Sequence, residues 1–266
     1  MDLGLAGRSC AVTGASRGIG LAVGERLRRE GARVLLIARS PAALEAAVAR
    51  CAEGGGEAAG LRLDITARDA GERLVAAAEE RFGALDVLVN NAGTAHRRSL
   101  EEVTDDEWMD AWQINVMAPM RAMRAAIPGM VERGWGRVVN VCSSAGKRPT
   151  VGTPEYSVAK AAELSLSRVY ADVYAKRGVL VNAICPGPVR SEMWLEPGGL
   201  LDQTRESGGF ASREEALEAI GSGRPIGRLA DIGEIAEAIV FLCSERASYV
   251  TGAAWSVDGG SVPVII

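Results

Sequence analysis

Short runs of β-branched and other apolar residues alternate along the chain with longer Ala- and Leu-rich stretches whose apolar positions recur at helical spacing. The pattern predicts strands at Ser9–Thr13, Arg33–Ala38, Ala58–Leu63, Asp86–Asn90, Arg137–Cys142, Val179–Cys185 and Ala254–Val257. Between them it predicts helices at Gly18–Glu30, Pro41–Glu53, Ala67–Phe82, Asp105–Glu132, Tyr156–Lys176 and Ile232–Ser244. Strands joined by helical crossovers pair in parallel, and a parallel sheet needs both faces covered. The expected fold is a doubly wound α/β sheet of seven mostly parallel strands with helices on both faces, in one domain over 1–266. Cys10-Ala11-Val12 and Val87-Leu88-Val89 are continuously apolar, which places their strands at the centre. Asp64-Ile65-Thr66, Thr104 and Asp231 stand where helices begin and offer capping oxygens.

One stretch breaks the rhythm. Residues 190–225 hold several glycines, two prolines and scattered large apolar residues, among them Met193, Trp194, Leu195, Leu200, Leu201 and Phe210. A long insertion after a strand's carboxyl end lies where open α/β sheets bind ligands, so it reads as a substrate lid. The plainer alternative is a surface insertion packed on its own side chains.

Composition narrows the chemistry. Apolar residues make up 48% of the 266 and charged residues 24%, a balance that supports a packed core. A formal charge of −4 gives no reason to expect nucleic acid or an anionic membrane as partner. No apolar run approaches the roughly eighteen residues of a membrane span, and the first residues lack a signal-peptide pattern, so the cytoplasm is expected. The five cysteines are scattered and odd in number, which fits reduced thiols better than disulfides. His96 is the single histidine, so a site of several imidazoles is ruled out and no metal is expected.

Between the first strand and first helix lies Thr13-Gly14-Ala15-Ser16-Arg17-Gly18-Ile19-Gly20, whose bare backbone can approach a pyrophosphate at a helix N-terminus. Farther on come Asn90-Asn91-Ala92-Gly93, Ser143, the pair Tyr156 and Lys160, Pro186-Gly187, Thr251-Gly252 and Val257-Asp258-Gly259-Gly260. Taken together and in order, these strings resemble the short-chain dehydrogenase/reductase family over essentially the whole chain, and most nearly its 3-oxoacyl-(acyl-carrier-protein) reductase-like branch. The resemblance implies a Rossmann-type dinucleotide fold and hydride transfer between a nicotinamide and a carbonyl or secondary alcohol. It also implies a homo-tetramer or dimer, with Ser261–Ile266 apolar enough to pack at an interface or back on its own subunit.

Cofactor choice follows from charge. An acid at the end of the second strand would bond both ribose hydroxyls and repel a 2′-phosphate, but Ala38 stands there, followed by Arg39 and Ser40. Arg17 and Arg39 are therefore expected to bracket that phosphate, making NADP(H) preferred and NAD(H) the alternative. By resemblance, Asp64 and Ile65 border the adenine. Gly14, Ser16, Gly18, Ile19, Gly20, Asn91, Ala92, Gly93, Pro186, Gly187 and Val189 complete the cofactor site, and Ser191 meets the carboxamide.

Tyr156 and Lys160, four apart, share a helix face. A phenol ordinarily titrates at about pH 10, too high for proton exchange near neutrality, and an adjacent ammonium, helped by the positive nicotinamide of the oxidised cofactor, is expected to lower it. Ser143, thirteen residues before Tyr156, offers a hydroxyl to the substrate oxygen. Asn115 is an unfavoured residue inside a long helix, and in similar enzymes it holds a water that links the lysine to solvent.

Substrate contacts are the least specified. His96 and Trp194 are candidates, and Arg97, Arg98, Lys147, Arg148 and Arg190 would draw an anionic substrate or carrier if they face the cleft. A 3-oxoacyl thioester or related ketone is the leading substrate class, and a sugar, polyol or other secondary alcohol the alternative. A different class remains: a protein that binds NADP(H) and signals without turnover, for which the Ser143, Tyr156 and Lys160 set has no evident use.

Overall fold

The computed structural model describes residues 2–53 and 55–263. Its elements follow the apolar pattern: β1 (Ser9–Thr13), α1 (Gly18–Arg29), β2 (Arg33–Ala38), α2 (Pro41–Ala52), β3 (Ala58–Arg62), α3 (Ala70–Phe82) and β4 (Val87–Asn90). Then come α4 (Asp105–Trp112), a π-helical turn (Gln113–Met117), α5 (Ala118–Glu132), β5 (Gly136–Val141), α6 (Ser144–Lys147), α7 (Pro154–Tyr174) and β6 (Val179–Pro186). Last are α8 (Glu192–Leu195), α9 (Leu200–Gly208), α10 (Arg213–Ser222), α11 (Ile232–Cys243) and β7 (Ala254–Val257). All seven strands pair in parallel in the order β3-β2-β1-β4-β5-β6-β7.

The central strands feed two cores because successive side chains leave opposite faces. Cys10 and Val12 of β1, with Val87 and Val89 of β4, join a core roofed by α1, α2 and α11. Ala11 and Leu88, between them, join the opposite core with α3 and α5. In α3 the buried Ala70, Leu74, Ala78 and Phe82 recur every fourth residue, which gives that helix its inward stripe. All five cysteines are free and buried within this packing.

Two departures from the sequence reading are informative. The helix expected from Asp105 to Glu132 is interrupted by the π turn, in which the Ala118 N–H reaches back five residues to the Gln113 carbonyl. Pro119 explains why: it has no N–H to give to the Asn115 carbonyl, so the regular ladder fails there. The third helix starts at Ala70, not Ala67, because Asp64 Oδ1 accepts from the Thr66 N–H (3.0 Å) and hydroxyl (2.7 Å) and bends the chain first. Asp64 thus shapes a turn and caps no helix. Thr104 does cap: its hydroxyl accepts from the Glu107 N–H while the Glu107 carboxylate accepts from the Thr104 N–H.

The 190–225 stretch folds into α8, α9 and α10 around a small core completed by Leu229 just beyond it, where Leu201, Ala216, Ile220 and Leu229 are buried with Trp194, Leu195 and Phe210 packed on them. No helix among the described residues is long and apolar enough to cross a membrane. Of the tail expected at an interface, residues 264–266 lie outside the described residues.

Candidate active site

The chain winds outward from β1 in both directions, to β2 and β3 on one side and to β4 through β7 on the other. At such a reversal the loops leaving the carboxyl ends of neighbouring strands part, and a crevice results. Here a cleft of about 870 Å³ opens over the ends of β1, β4, β5 and β6.

Its floor is the glycine-rich turn. Gly14 has φ +64, and a Cβ there would lie 2.9 Å from Ala92 Cα, so both backbone conformation and space demand glycine. Thr13 Oγ1 accepts from the N–H groups of Asn91 and Ala92, each at 3.0 Å. Asn91 Nδ2 donates to the carbonyls of Thr13 (2.9 Å) and Gly14 (3.1 Å). The loop after β4 is thereby stitched to the turn after β1. The turn delivers the chain into α1, whose first turn carries no acidic residue and leaves its amide N–H groups at the cleft.

At the ends of β2 and β3 the cleft is lined by Arg39, Ser40, Asp64 and Ile65. Hydrogen bonds from the Thr66 backbone and hydroxyl hold the Asp64 carboxyl below its ordinary value, and Arg39 adds a smaller pull. Arg39 is exposed and forms no ion pair among the described residues. Arg17 differs. Its Nη1 donates to both carboxylate oxygens of Glu196, at 2.6 and 2.7 Å. The expected bracket of two free cations is thus one free arginine and one held by the 190–225 segment. That segment brings a second acid to the turn: Glu192 Oε2 is buried without a hydrogen-bond partner and lies 3.1 Å from where a Gly18 Cβ would be.

Elsewhere the cleft is lined by Ser143, Tyr156 and Lys160. Ser143 caps α6, its Oγ accepting from the Ala145 N–H at 3.1 Å. Tyr156 and Lys160 project from the first two turns of α7, with Lys160 Nζ 5.7 Å from the tyrosine ring centre. Burial pushes the Tyr156 phenol above its ordinary value, while the Lys160 ammonium and the nearby Ser143 hydroxyl pull it back. Of the two positive charges expected to lower the phenol, the lysine alone has a smaller effect than the cost of burying a phenolate. Behind Lys160 sits Glu163, 1% exposed, its Oε2 2.8 Å from Nζ. The sequence reading overlooked this acid. The available signal was its spacing, three residues after Lys160 and seven after Tyr156, which returns it to the same helix face.

Nearly all the candidate residues line the cleft: Gly14, Ser16, Arg17, Gly18, Ile19, Arg39, Ser40, Asp64, Ile65, Asn91, Ala92, Gly93, Ser143, Tyr156, Lys160, Pro186, Gly187, Val189, Ser191 and Trp194. Three do not. Gly20 lies behind the turn, where a Cβ would come within 2.5 Å of Asn91 Nδ2, so its smallness serves packing. Asn115 is fully buried in the π turn; its Nδ2 donates to the Ala111 carbonyl and its Oδ1 has no partner. A Cβ at Gly93 would stand 2.9 Å from that Oδ1 and 3.6 Å from Lys160 Nζ, so the glycine keeps the path between them open. His96 is exposed and outside the lining, since its loop gives Thr94, Ala95 and Arg97 to the cleft instead.

Of the cations expected at the mouth, Arg97 alone lines the cleft. Arg98 pairs with Glu107 at 3.2 Å and Lys147 donates to Ser256 at 3.0 Å. A second cleft cation, Arg224, comes from the end of the 190–225 segment, and its Nε is buried without a partner. Thr150, Thr153, Met193, Leu200 and Thr204 complete that end.

Residues 14–261 match the family model described as enoyl-(acyl carrier protein) reductase. The chain is 38% identical to 2-(S)-hydroxypropyl-CoM dehydrogenase 3 of Xanthobacter autotrophicus, covering 96% of each protein. It is 34% identical to the 3-oxoacyl-(acyl-carrier-protein) reductase of Vibrio cholerae, over 97% of this chain and 98% of that one. Among solved structures it superposes on L-sorbose reductase of Gluconobacter frateurii, complexed with NADPH and L-sorbose, with a TM-score of 0.92 and 33% identity over the whole of both chains.

Proposed function

The chain belongs to the short-chain dehydrogenase/reductase family, and on that premise we propose that it is an NADP(H)-dependent oxidoreductase interconverting a carbonyl compound and its secondary alcohol. The observation that carries the reading is the meeting of Ser143, Tyr156 and Lys160 in one cleft with a glycine turn that only bare backbone can form. NADPH in the L-sorbose reductase complex supports the choice of cofactor.

The residues present fit a dinucleotide. Gly14, Ser16, Gly18 and Ile19 offer backbone to the pyrophosphate, and Arg39, Ser40 and a released Arg17 suit the 2′-phosphate. Asp64 and Ile65 border the adenine. Asn91, Ala92, Gly93, Pro186, Gly187, Val189 and Ser191 enclose the nicotinamide end. When bound, the cofactor supplies or accepts the hydride. Ser143 and Tyr156 hold the substrate oxygen, and Tyr156 gives it a proton in reduction and takes one in oxidation. Lys160 favours the phenolate and binds ribose hydroxyls, while Asn115 behind it lies on the proton's route toward solvent.

At the substrate end, Met193, Trp194 and Leu200 suit an apolar portion, and Arg97 and Arg224 suit an anionic one. The substrate class favoured is a 3-oxoacyl thioester or related ketone, with a sugar or polyol as the second reading in view of the sorbose reductase likeness. The 190–225 segment acts as the lid of this single-domain enzyme. Exposed Met109, Trp112, Val169 and Val173 on α4 and α7 support a homo-tetramer, and a cytoplasmic location is part of the same proposal.

The test is a titration with NADPH and NADH, followed by cofactor fluorescence, and then panels of 3-oxoacyl thioesters and ketones in the reducing direction and sugars and polyols in the oxidising one. Binding with turnover supports the enzyme; binding without any turnover favours a nucleotide sensor, and no binding removes both.

A further inference from the structure

Lys160 and Glu163 form a buried ion pair in a place where such pairs are costly. Their side chains are 3% and 1% exposed, and Nζ lies 2.8 Å from Oε2. Removing both charges from water is costly, and replacing such a pair as a whole by well-packed apolar residues is often neutral or stabilising, whereas removing one partner strands the other charge. Stability alone therefore gives little reason for the pair, and once Lys160 is present its charge needs a partner.

Geometry gives a better one. An ammonium has three N–H donors. One of Lys160's goes to the Val141 carbonyl at the end of β5, at 2.9 Å, and one to Glu163. Two fixed bonds on different elements hold Nζ in place and leave its third donor for the cleft. The remaining titratable groups around the pair are Tyr156 on α7, Cys142 just after β5 and Cys185 on β6. Burial raises both thiols, Cys185 to about 11, so neither supplies a negative charge near neutrality.

We propose that Glu163 is a positioning residue of the proton-exchange group, which fixes Lys160 and keeps it charged by lying against its ammonium in a dry pocket. This rests on the assignment of Lys160 to the reaction. Burial by itself lowers the Lys160 ammonium; the Glu163 carboxylate more than offsets this and holds the ammonium above its ordinary value. Burial pushes the Glu163 carboxyl upward in turn, and Lys160 pulls it back. Tyr156 accordingly faces a compensated pair and not a bare cation. A glutamine at 163 keeps the shape but removes the compensation, so the protonated lysine and phenol together give up their first proton at lower pH.

The chain has three lysines, Lys147, Lys160 and Lys176, so the side-chain NMR signals of the full-length protein labelled at the lysine ε-carbon can be followed one by one against pH. In the unaltered protein Lys160 is expected to titrate above the ordinary lysine value of about 10.4; a midpoint at or below that value would overturn the proposal without any variant. In Glu163→Gln the Lys160 midpoint is expected to fall by roughly two pH units or more, as for other buried lysines without a partner. An unmoved midpoint would reduce Glu163 to packing. Neither measurement needs turnover, so a chain that reduces nothing refutes the enzyme reading and leaves this result standing.

Discussion

Arg17 of the glycine-rich turn and Glu196 of the 190–225 segment are joined by contacts from one Nη1 to both carboxylate oxygens, at 2.6 and 2.7 Å. The pair ties the cleft's floor to that segment and occupies an arginine proposed for the 2′-phosphate. Both partners are about half exposed, 58% and 48%, so the bond is worth ~1 kcal/mol at most and solvent screens it. Glu196→Gln should therefore tighten NADPH binding about two- to five-fold at low salt, and the gain should shrink at high salt. Looser binding in a fluorescence titration would mean that the contact orders the site for the cofactor.

Arg39 lacks any such carboxylate among the described residues. Its loss should therefore cost more than that of Arg17. Arg39→Ala is expected to weaken NADPH roughly ten- to hundred-fold, the worth of one or two charge-assisted hydrogen bonds, and to leave NADH nearly unchanged. Equal loss for both cofactors would place Arg39 away from the 2′-phosphate.

Tyr156→Phe keeps the ring and removes the exchangeable proton. Turnover should fall about 10²- to 10⁴-fold while NADPH affinity stays within a few-fold. The pH dependence has a definite sign. Burial raises the phenol, so its acid form persists to higher pH in the free protein. Reduction, which uses that acid, should hold through neutrality and decline in alkali. Oxidation, which uses the phenolate, should climb over the same range. A reduction rate that rises with pH would remove Tyr156 as the proton donor.

Gly14 tests the floor. Alanine there must adopt φ +64 with its Cβ 2.9 Å from Ala92 Cα. The strain and crowding should lower stability by about 1–3 kcal/mol and abolish tight cofactor binding. Thermal unfolding and titration read the two effects separately, and a variant unchanged in both would show that the turn relaxes freely.

Much of this was visible in the residues. Uninterrupted apolar triplets such as Val87-Leu88-Val89 marked the central strands, and spacing placed Tyr156 and Lys160 together. What escaped depended on tertiary surroundings. Pro119 breaks the long helix through a missing donor four residues from Asn115, a signal that is local in the sequence. The direction of the Tyr156 shift required knowing how much protein surrounds the hydroxyl, and spacing does not supply that. Arg17 and Glu196 are 179 residues apart, beyond any local pattern. His96 was singled out by its chemistry, whereas its exposure follows from the path of one irregular loop.

The small core under α8, α9 and α10 has an evolutionary consequence. Leu201, Ala216, Ile220 and Leu229 cohere separately from the two layers that flank the sheet. Substitutions in this stretch can reshape the entrance while the glycine turn and the Tyr156 helix keep their settings. A lineage can then exchange what it admits without relearning how to react with it, and chimeras that transplant residues 190–225 between related chains should inherit the donor's tastes and the recipient's cofactor.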